Sequence, residues 1–149
     1  MLDLHTANRD FLAPFDPVRE DDFFTLEVQR ARIAEAGRHS WLILDGGEPA
    51  GFIGLSNVVR GPLQSAILSY WVDQDHNGRG LATRAAAAVV DYAFGDLGLH
   101  RIEAGTLPDN FASQRVLEKN GFERYGLARR FLLIAGEWRD HVLFERIAE

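Results

Sequence analysis

Between Ala66 and Thr106 the chain reads as a strand, a glycine-containing loop, a long helix and a second strand, and this order constrains the fold more than any other feature. Ala66, Leu68, Tyr70 and Val72 alternate with Ile67, Ser69 and Trp71, apolar on nearly both faces. That pattern predicts a central strand covered on two sides. From Gly80 to about Leu97 an apolar residue recurs every three to four positions, at Leu81, Ala85, Val89 and Tyr92. The consecutive alanines Ala85 to Ala88 permit close packing on a sheet. Gly98 closes the helix, and Arg101 to Thr106 supplies the second strand. Strands joined in this way run parallel with a right-handed crossover, so the fold needs a sheet with a helix on its face.

The flanking segments complete an α+β pattern. Leu2 to Leu12 reads as a short helix stopped by Pro14 and Pro17. A second helix is expected from about Asp22 to Ala36, burying Phe23, Leu26, Ile33 and Ala34 and ending at Gly37. Trp41–Leu44 and Ala50–Leu55 flank Asp45-Gly46-Gly47, a hairpin signal, and Gly61-Pro62 makes the next break. Asn110 to Asn120 reads as a helix closed by Asn120-Gly121. Two last strands, about Glu123–Ile134 and Trp138–Arg146, turn at Ala135-Gly136. No linker, repeat or low-complexity tract divides the 149 residues, so a single domain over 1–149 is expected.

Composition removes several classes of function. With no cysteine, a thiol nucleophile, a Cys-ligated metal centre and a thioester formed on the protein are excluded. His5, His39, His76 and His100 lack metal-ligand spacing, so no metal is expected. The net charge of −6 argues against a nucleic-acid partner. No apolar run approaches the roughly 20 residues that span a bilayer, and Met1-Leu2-Asp3-Leu4-His5 is no signal peptide, so a cytoplasmic protein with no membrane partner is expected. The charge is uneven: residues 1–76 hold 6 basic and 12 acidic side chains, and residues 77–149 hold 10 of each.

The stretch from Tyr70 to Arg84 carries the chemistry. A strand ends, a loop with glycines at 78 and 80 follows, and a helix begins, whose first N–H groups have no intrahelical partner and sit at the positive end of the dipole. Such a loop cradles phosphate or pyrophosphate. The P-loop and dinucleotide patterns fail, for want of Gly-Lys-Ser/Thr and of an early G-x-G-x-x-G. Asp73-x-Asp75-x-Asn77-Gly78 matches the opening of a calcium loop, but Arg79 and Arg84 occupy its seventh and twelfth positions. A plain Asn-Gly turn is the bland alternative.

Further on, Asn110 and Ser113 fall on one face of a helix's first turn. With Tyr70-Trp71-Val72-Asp73, Asn77-Gly78-Arg79-Gly80-Leu81-Ala82, Leu117-Glu118-Lys119-Asn120-Gly121-Phe122 and Gly136-Glu137-Trp138-Arg139-Asp140-His141, the chain resembles the GNAT superfamily of acetyl-coenzyme A-dependent N-acetyltransferases, and more narrowly the RimJ/RimL-type protein-alanine acetyltransferases. The likeness covers roughly residues 40–147. It implies a splayed mixed sheet flanked by helices, with acetyl-coenzyme A between the Ala66–Val72 and Arg101–Thr106 strands. Backbone groups of Trp71, Val72 and Asp73 would bind the pantetheine. The segment Asn77, Gly78, Arg79, Gly80, Leu81, Ala82 and Thr83 would hold the pyrophosphate, chiefly through the amides from Gly78 onward. Asn110 would meet the cofactor arm, and Ser113 would stand near the sulfur as general acid.

The chain departs from the family pattern in three places. Asn77 stands where the family has Gln or Arg, the usual first strand is missing, and the RimL-type catalytic Glu would fall near Leu132, with no acid between Glu123 and Glu137. Without cysteine, direct transfer in a ternary complex is expected, with Glu103, His141 or a water relay as base for the acceptor amine and a strand-opening amide for the oxyanion. For Glu103 the alternative is a salt bridge with Arg101, and for His141 a structural role. Trp41, Trp71 and Trp138 read as core or acceptor-wall residues. The expected acceptor is a protein N-terminus, with a small amine as the second choice and a homodimer as an open question. The acidic first half, with Glu20-Asp21-Asp22, favours a cationic amine by electrostatic steering. A non-catalytic acyl-coenzyme A-binding module is the reading from a different class.

Overall fold

A computed structural model describes all 149 residues. Six strands form one sheet: β1 (His39–Asp45), β2 (Glu48–Val59), β3 (Ser65–Val72), β4 (Arg101–Thr106), β5 (Glu123–Ile134) and β6 (Glu137–Ile147). Their order is β1-β2-β3-β4-β6-β5, and only β3 and β4 run parallel. The helices are α1 (Leu2–Ala7), α2 (Arg9–Leu12), α3 (Leu26–Ile33), α4 (Leu81–Phe94) and α5 (Phe111–Lys119), with short 3-10 turns at Asp21–Phe24 and Gln74–His76. The first element is a helix, and β1 forms an edge of the sheet.

The sheet separates two layers. On one face α4 buries Ala86, Val89, Val90 and Ala93 with Ile53, Leu55, Leu68 and Ile102 of the strands. Each such aliphatic side chain contributes roughly 1.5–3 kcal/mol on burial. α5 packs beside α4 and adds Leu117 to the same core. On the other face the His5 ring lies 5.1 Å from Trp71 and 5.2 Å from Phe23, joining α1, β3 and the first 3-10 turn.

Three boundaries and one burial pattern differ from the sequence pattern, each for a local reason. The expected helix over Leu2–Leu12 is broken at Asn8, which is almost fully buried. Its Nδ2 donates to the Leu4 carbonyl and, at 2.6 Å, to Asp73 Oδ1, while its Oδ1 accepts from the Gln74 N–H. The helix over Asp22–Ala36 is split by Thr25, whose hydroxyl accepts from the Val28 N–H and starts α3 there. That shift leaves Leu26 and Ile33 half exposed and buries Gln29, which donates to the Phe23 carbonyl. α4 stops at Gly95 rather than Gly98. Finally, β3 is covered on one face only, since Ile67 and Ser69 are exposed. The N-terminal layer reaches that face only at the Trp71 end.

Asn8 thus ties the N-terminal layer to the loop after β3 through two hydrogen bonds, with a third inside its own layer to Leu4. Asn8→Ala is expected to lower stability by about 1–3 kcal/mol, because Asp73 and the Gln74 amide lose their partner in a water-poor site. Denaturant unfolding should show an earlier midpoint with an unchanged slope.

Candidate active site

β3 and β4 bond only at their beginnings, through the pairs Ser65–Arg101, Ala66–Ile102 and Ile67–Glu103. β2 holds the far edge of β3 as far as the pair Gly51–Val72, while β6 holds β4 to its last residue through the pair Thr106–Val142. Each strand follows its antiparallel partner, and the two part like a wedge. From Leu68 to Val72 the facing edge of β3 therefore has no strand to bond, and its backbone groups line the gap. A cavity of about 310 Å³ opens along the wedge, walled by Ser69, Tyr70, Trp71, Gly105, Thr106 and His141 among others.

At the outer end of β3 the loop turns into α4. Gly78 and Gly80 adopt φ of +78° and +72°, the left-handed region that favours glycine. No protein group accepts from the amides of Gly78, Arg79, Gly80, Leu81, Ala82 and Thr83. Arg79 leaves the cradle and pairs with Asp45 at 2.7 Å, fixing the loop to the β1–β2 hairpin, while Arg84 donates to the Arg79 carbonyl. Asn77 is exposed at the mouth of the loop. At the loop's base, burial alone would raise the Asp73 pKa. Hydrogen bonds from Asn8, His76 and the Gln74 amide, with the His76 charge, outweigh it and hold the carboxyl below the usual range. His76 Nδ1 lies 2.6 Å from Asp73 Oδ2.

The inner end of the wedge holds the groups able to move protons. Asn110 is the N-cap of α5 and accepts from the Ser113 N–H through its Oδ1 at 3.2 Å. The helix is thus capped by Asn110, and the Ser113 hydroxyl is left for another partner. That partner is Tyr70, whose hydroxyl lies 2.9 Å from Ser113 Oγ and donates to the Ser113 carbonyl at 3.1 Å. Burial pushes the Tyr70 phenol up to about 12, against the lowering effect of the Ser113 hydrogen bond. His141 is buried in the cavity wall, with Phe131 edge-on to its ring at 5.7 Å. Its Nδ1 lies 3.1 Å from the Arg139 carbonyl. A carbonyl can only accept, so Nδ1 carries a proton in this contact and Nε2 is left without a protein partner.

The wedge gathers Trp71, Asn110, Ser113 and His141 in one cavity, with Val72, Asp73 and the loop Asn77–Thr83 leading out from the end of β3. Glu103 stands elsewhere. Its Oε1 accepts from Arg101 at 3.0 Å and from the Tyr125 hydroxyl at 2.7 Å, and Arg101 also pairs with Glu145. Its partial burial would raise the pKa, but Tyr125 and Arg101 outweigh this and hold it low. Of its two expected roles, the geometry matches the salt bridge. Leu132 does line the cavity, so the position where the family places its acid faces the site without one. Tyr70 was missed as a functional group, since a tyrosine in an apolar strand reads as core. Its even spacing from Leu68, which turns it towards α5, was the available signal.

The expected acidic acceptor wall is not where the charge sum placed it. Glu20, Asp21 and Asp22 are exposed outside the cavity, and Asp21 pairs with Arg9 at 2.8 Å. The cavity wall instead holds Arg19, Arg32 and Arg38, with Asp16 as its one carboxylate.

A split parallel pair beside an unpaired amide loop, with a Ser–Tyr couple at the gap, has the shape to take an extended, phosphate-bearing carrier. The chain belongs to the GNAT acetyltransferase family, whose domain pattern matches residues 5–123, and within it to the RimJ/RimL type. It is 44% identical to a probable N-acetyltransferase, YjcK, of Bacillus subtilis, over 94% of this chain and 82% of that one. It is 36% identical to the ribosomal protein uS5-alanine N-acetyltransferase of Escherichia coli, over 96% and 78% of the two chains. Mycobacterium smegmatis RimJ, solved in complex with CoA-disulfide, superposes with a TM-score of 0.90 at 33% identity, covering 99% of this chain and 75% of that one. A ribosomal-protein-S5-alanine acetyltransferase from Vibrio fischeri gives 0.90 at 31% identity, with 98% and 85% covered. The chain is therefore an N-acetyltransferase, in a family whose acyl donor is acetyl-coenzyme A.

Two outcomes follow. Gly80→Asp would set a negative charge where only the Arg84 guanidinium approaches, 3.4 Å from a Cβ built there. Calorimetry on the folded variant should show coenzyme A binding weakened more than about tenfold, or more than about 1.4 kcal/mol. Tyr70 holds its proton more firmly folded than unfolded, so its contribution is complete below pH 10 and lost as pH rises through about 12. Tyr70→Phe should flatten the decline of stability across that window in urea melts.

Proposed function

We propose that the chain transfers the acetyl group of acetyl-coenzyme A to the α-amine of a protein N-terminus, of the ribosomal-protein-alanine type, in the cytoplasm, by direct transfer in a ternary complex. The observation that carries this reading is the convergence, in one wedge, of the open β3 edge, the acceptor-free amides of residues 78–83 and the Ser113–Tyr70 couple. The names of the Escherichia coli and Vibrio fischeri relatives support the acceptor class.

The residues fit the donor. Six amides without partners at the start of a helix match the charge of a pyrophosphate, and the bare edge of β3 matches the amides of a pantetheine arm. Trp71, Val72 and Asp73 would hold that arm with Asn110, whose Nδ2 stays free while its Oδ1 caps α5. Acetyl-coenzyme A bound there supplies the acetyl group as a thioester. Ser113 acts as general acid for the leaving sulfur, and Tyr70 orients its hydroxyl. His141 takes the amine proton at Nε2, because the Arg139 carbonyl holds its Nδ1 proton in place. It stands in for the acid absent at Leu132. A β3-edge amide steadies the oxyanion.

The test is an acceptor screen with labelled acetyl-coenzyme A, covering N-terminal peptides and small amines such as a polyamine. Acetylation of alanine-initiated peptides with the highest kcat/KM is the expected result; binding without turnover of any amine would make the protein a sensor module. With the best acceptor, Ser113→Ala should lower kcat by about 10²–10⁴-fold without loss of helix content. His141→Gln should lower it by a similar factor, as expected for loss of a general base.

A further inference from the structure

The half of the cavity beyond the wedge carries a charge pattern that the transfer chemistry does not use. Arg19 and Arg32 both line it, and each guanidinium carbon lies 4.5 Å from the centre of the Phe23 ring. Phe23 is buried between α1 and α3. Neither arginine has a hydrogen bond or an ion pair; among the three cavity arginines only Arg38 has a carboxylate, Glu35 at 3.0 Å. Arg19 Nε is buried without any partner, and so is Ser40 Oγ, another cavity-lining atom. The Arg32 pKa is lowered, first by burial and then by the charges of Arg19 and Arg38, with Asp16 and Glu35 opposing. Asp16, the nearest internal counter-charge, lies 3.9 Å from His5 Nε2, and its backbone carbonyl accepts from the Ala135 N–H.

Crowding half-buried guanidinium groups together without carboxylates is costly, and the more so in a chain of net charge −6 that has acidic side chains to spare. A planar guanidinium stacked on an aromatic ring presents its fork to a carboxylate in two-point geometry. None of the residues 77–83 lines this cavity, so these arginines stand apart from the amide cradle. At about 310 Å³ the cavity takes a ligand of a few residues rather than a folded surface.

We propose that Arg19 and Arg32 form a carboxylate-binding subsite in the acceptor half of the cavity, so that the preferred acceptor is an N-terminal amine on a peptide with an acidic side chain in its first few residues. This rests on the N-terminal acceptor reading above and adds a selectivity to it. The amine enters the wedge beside Ser113 and His141, while the carboxylate is held against Phe23 by the two forks. The subsite sets KM more than kcat, because it binds a group remote from the reacting atoms.

The experiment compares alanine-initiated peptides carrying Glu at position two, three or four with their Gln counterparts, and in parallel follows Tm with glutarate, a dicarboxylate without an amine. For at least one position the Glu peptide should exceed its Gln counterpart in kcat/KM by about tenfold or more, mainly through KM. That ratio should fall to near one in Arg19→Gln/Arg32→Gln. Glutarate should raise Tm of the unaltered protein and not of the double variant. If the double variant does not fold, Arg32→Gln alone and the ratio for the unaltered protein decide the matter. Glutarate binding with every peptide inert would keep the subsite and remove the N-terminal acceptor. Equal kcat/KM for every Glu and Gln pair, an unmoved Tm in the unaltered protein, or a Glu preference that survives in the double variant would overturn the proposal.

Discussion

Everything functional in this protein depends on β3 and β4 parting after three residue pairs. A parallel pair held along its length would have buried its backbone groups in ladder bonds and left nothing to bind an extended ligand. The parting is enforced from outside. β2 keeps β3 on one course and β6 keeps β4 on another, and antiparallel ladders on the far edges outweigh what the parallel pair would gain by closing. A bare strand edge inside a folded domain would ordinarily be a defect. Here the gap is floored by α5 and walled by the N-terminal layer, so the edge is reserved for a ligand rather than for another sheet.

The wedge needs rigid ends to select a ligand, and buried polar contacts supply them. At the loop end, Asn8 and His76 converge on Asp73, and Arg79 reaches back to Asp45. At the inner end, Asn110 fixes the first turn of α5 and Tyr70 fixes the serine on that turn. The Asn8–Asp73, Arg79–Asp45 and Tyr70–Ser113 contacts cross between elements far apart in the chain, whereas His76–Asp73 and Asn110–Ser113 are local, three positions apart. By contrast, Arg19 Nε, Ser40 Oγ and Thr106 Oγ1 are buried without a partner, and all three residues line the cavity.

The fold also bears on the base proposed for the transfer. Leu132 on β5, near which the family resemblance would place an acid, lines the cavity. β5 bulges between Ala128 and Leu132, and Arg130 adopts a φ of +46° while its N–H donates to Asp140. Across the hairpin, β6 brings the His141 imidazole into the same wall, against Gly105, which has no side chain to obstruct it. With the Nδ1–H held by the Arg139 carbonyl, Nε2 is the ring atom turned free of the backbone.

The sequence alone determined the strand–loop–helix–strand order, the glycine cradle, the hairpin turns and the first turn of α5, because local periodicity, positive-φ glycines and helix-end signals are written in neighbouring residues. It also disclosed the family, through ordered motifs at fixed separations. Contacts between distant segments were beyond it. Tyr70 and Ser113 are 43 positions apart, Asn8 and Asp73 are 65 apart, and only the fold brings each pair within hydrogen-bond distance. Glu103 showed the same limit, since a carboxylate on a strand beside the gap is a base or half of a salt bridge according to what Arg101 and Tyr125 do. Charge behaved likewise: a sum over residues 1–76 placed acid in the first half of the chain, whereas the tertiary structure turned Glu20, Asp21 and Asp22 outward and set three arginines in the cavity beside Asp16. Net charge is a property of composition, but the potential inside a cleft is decided by which side chains face it.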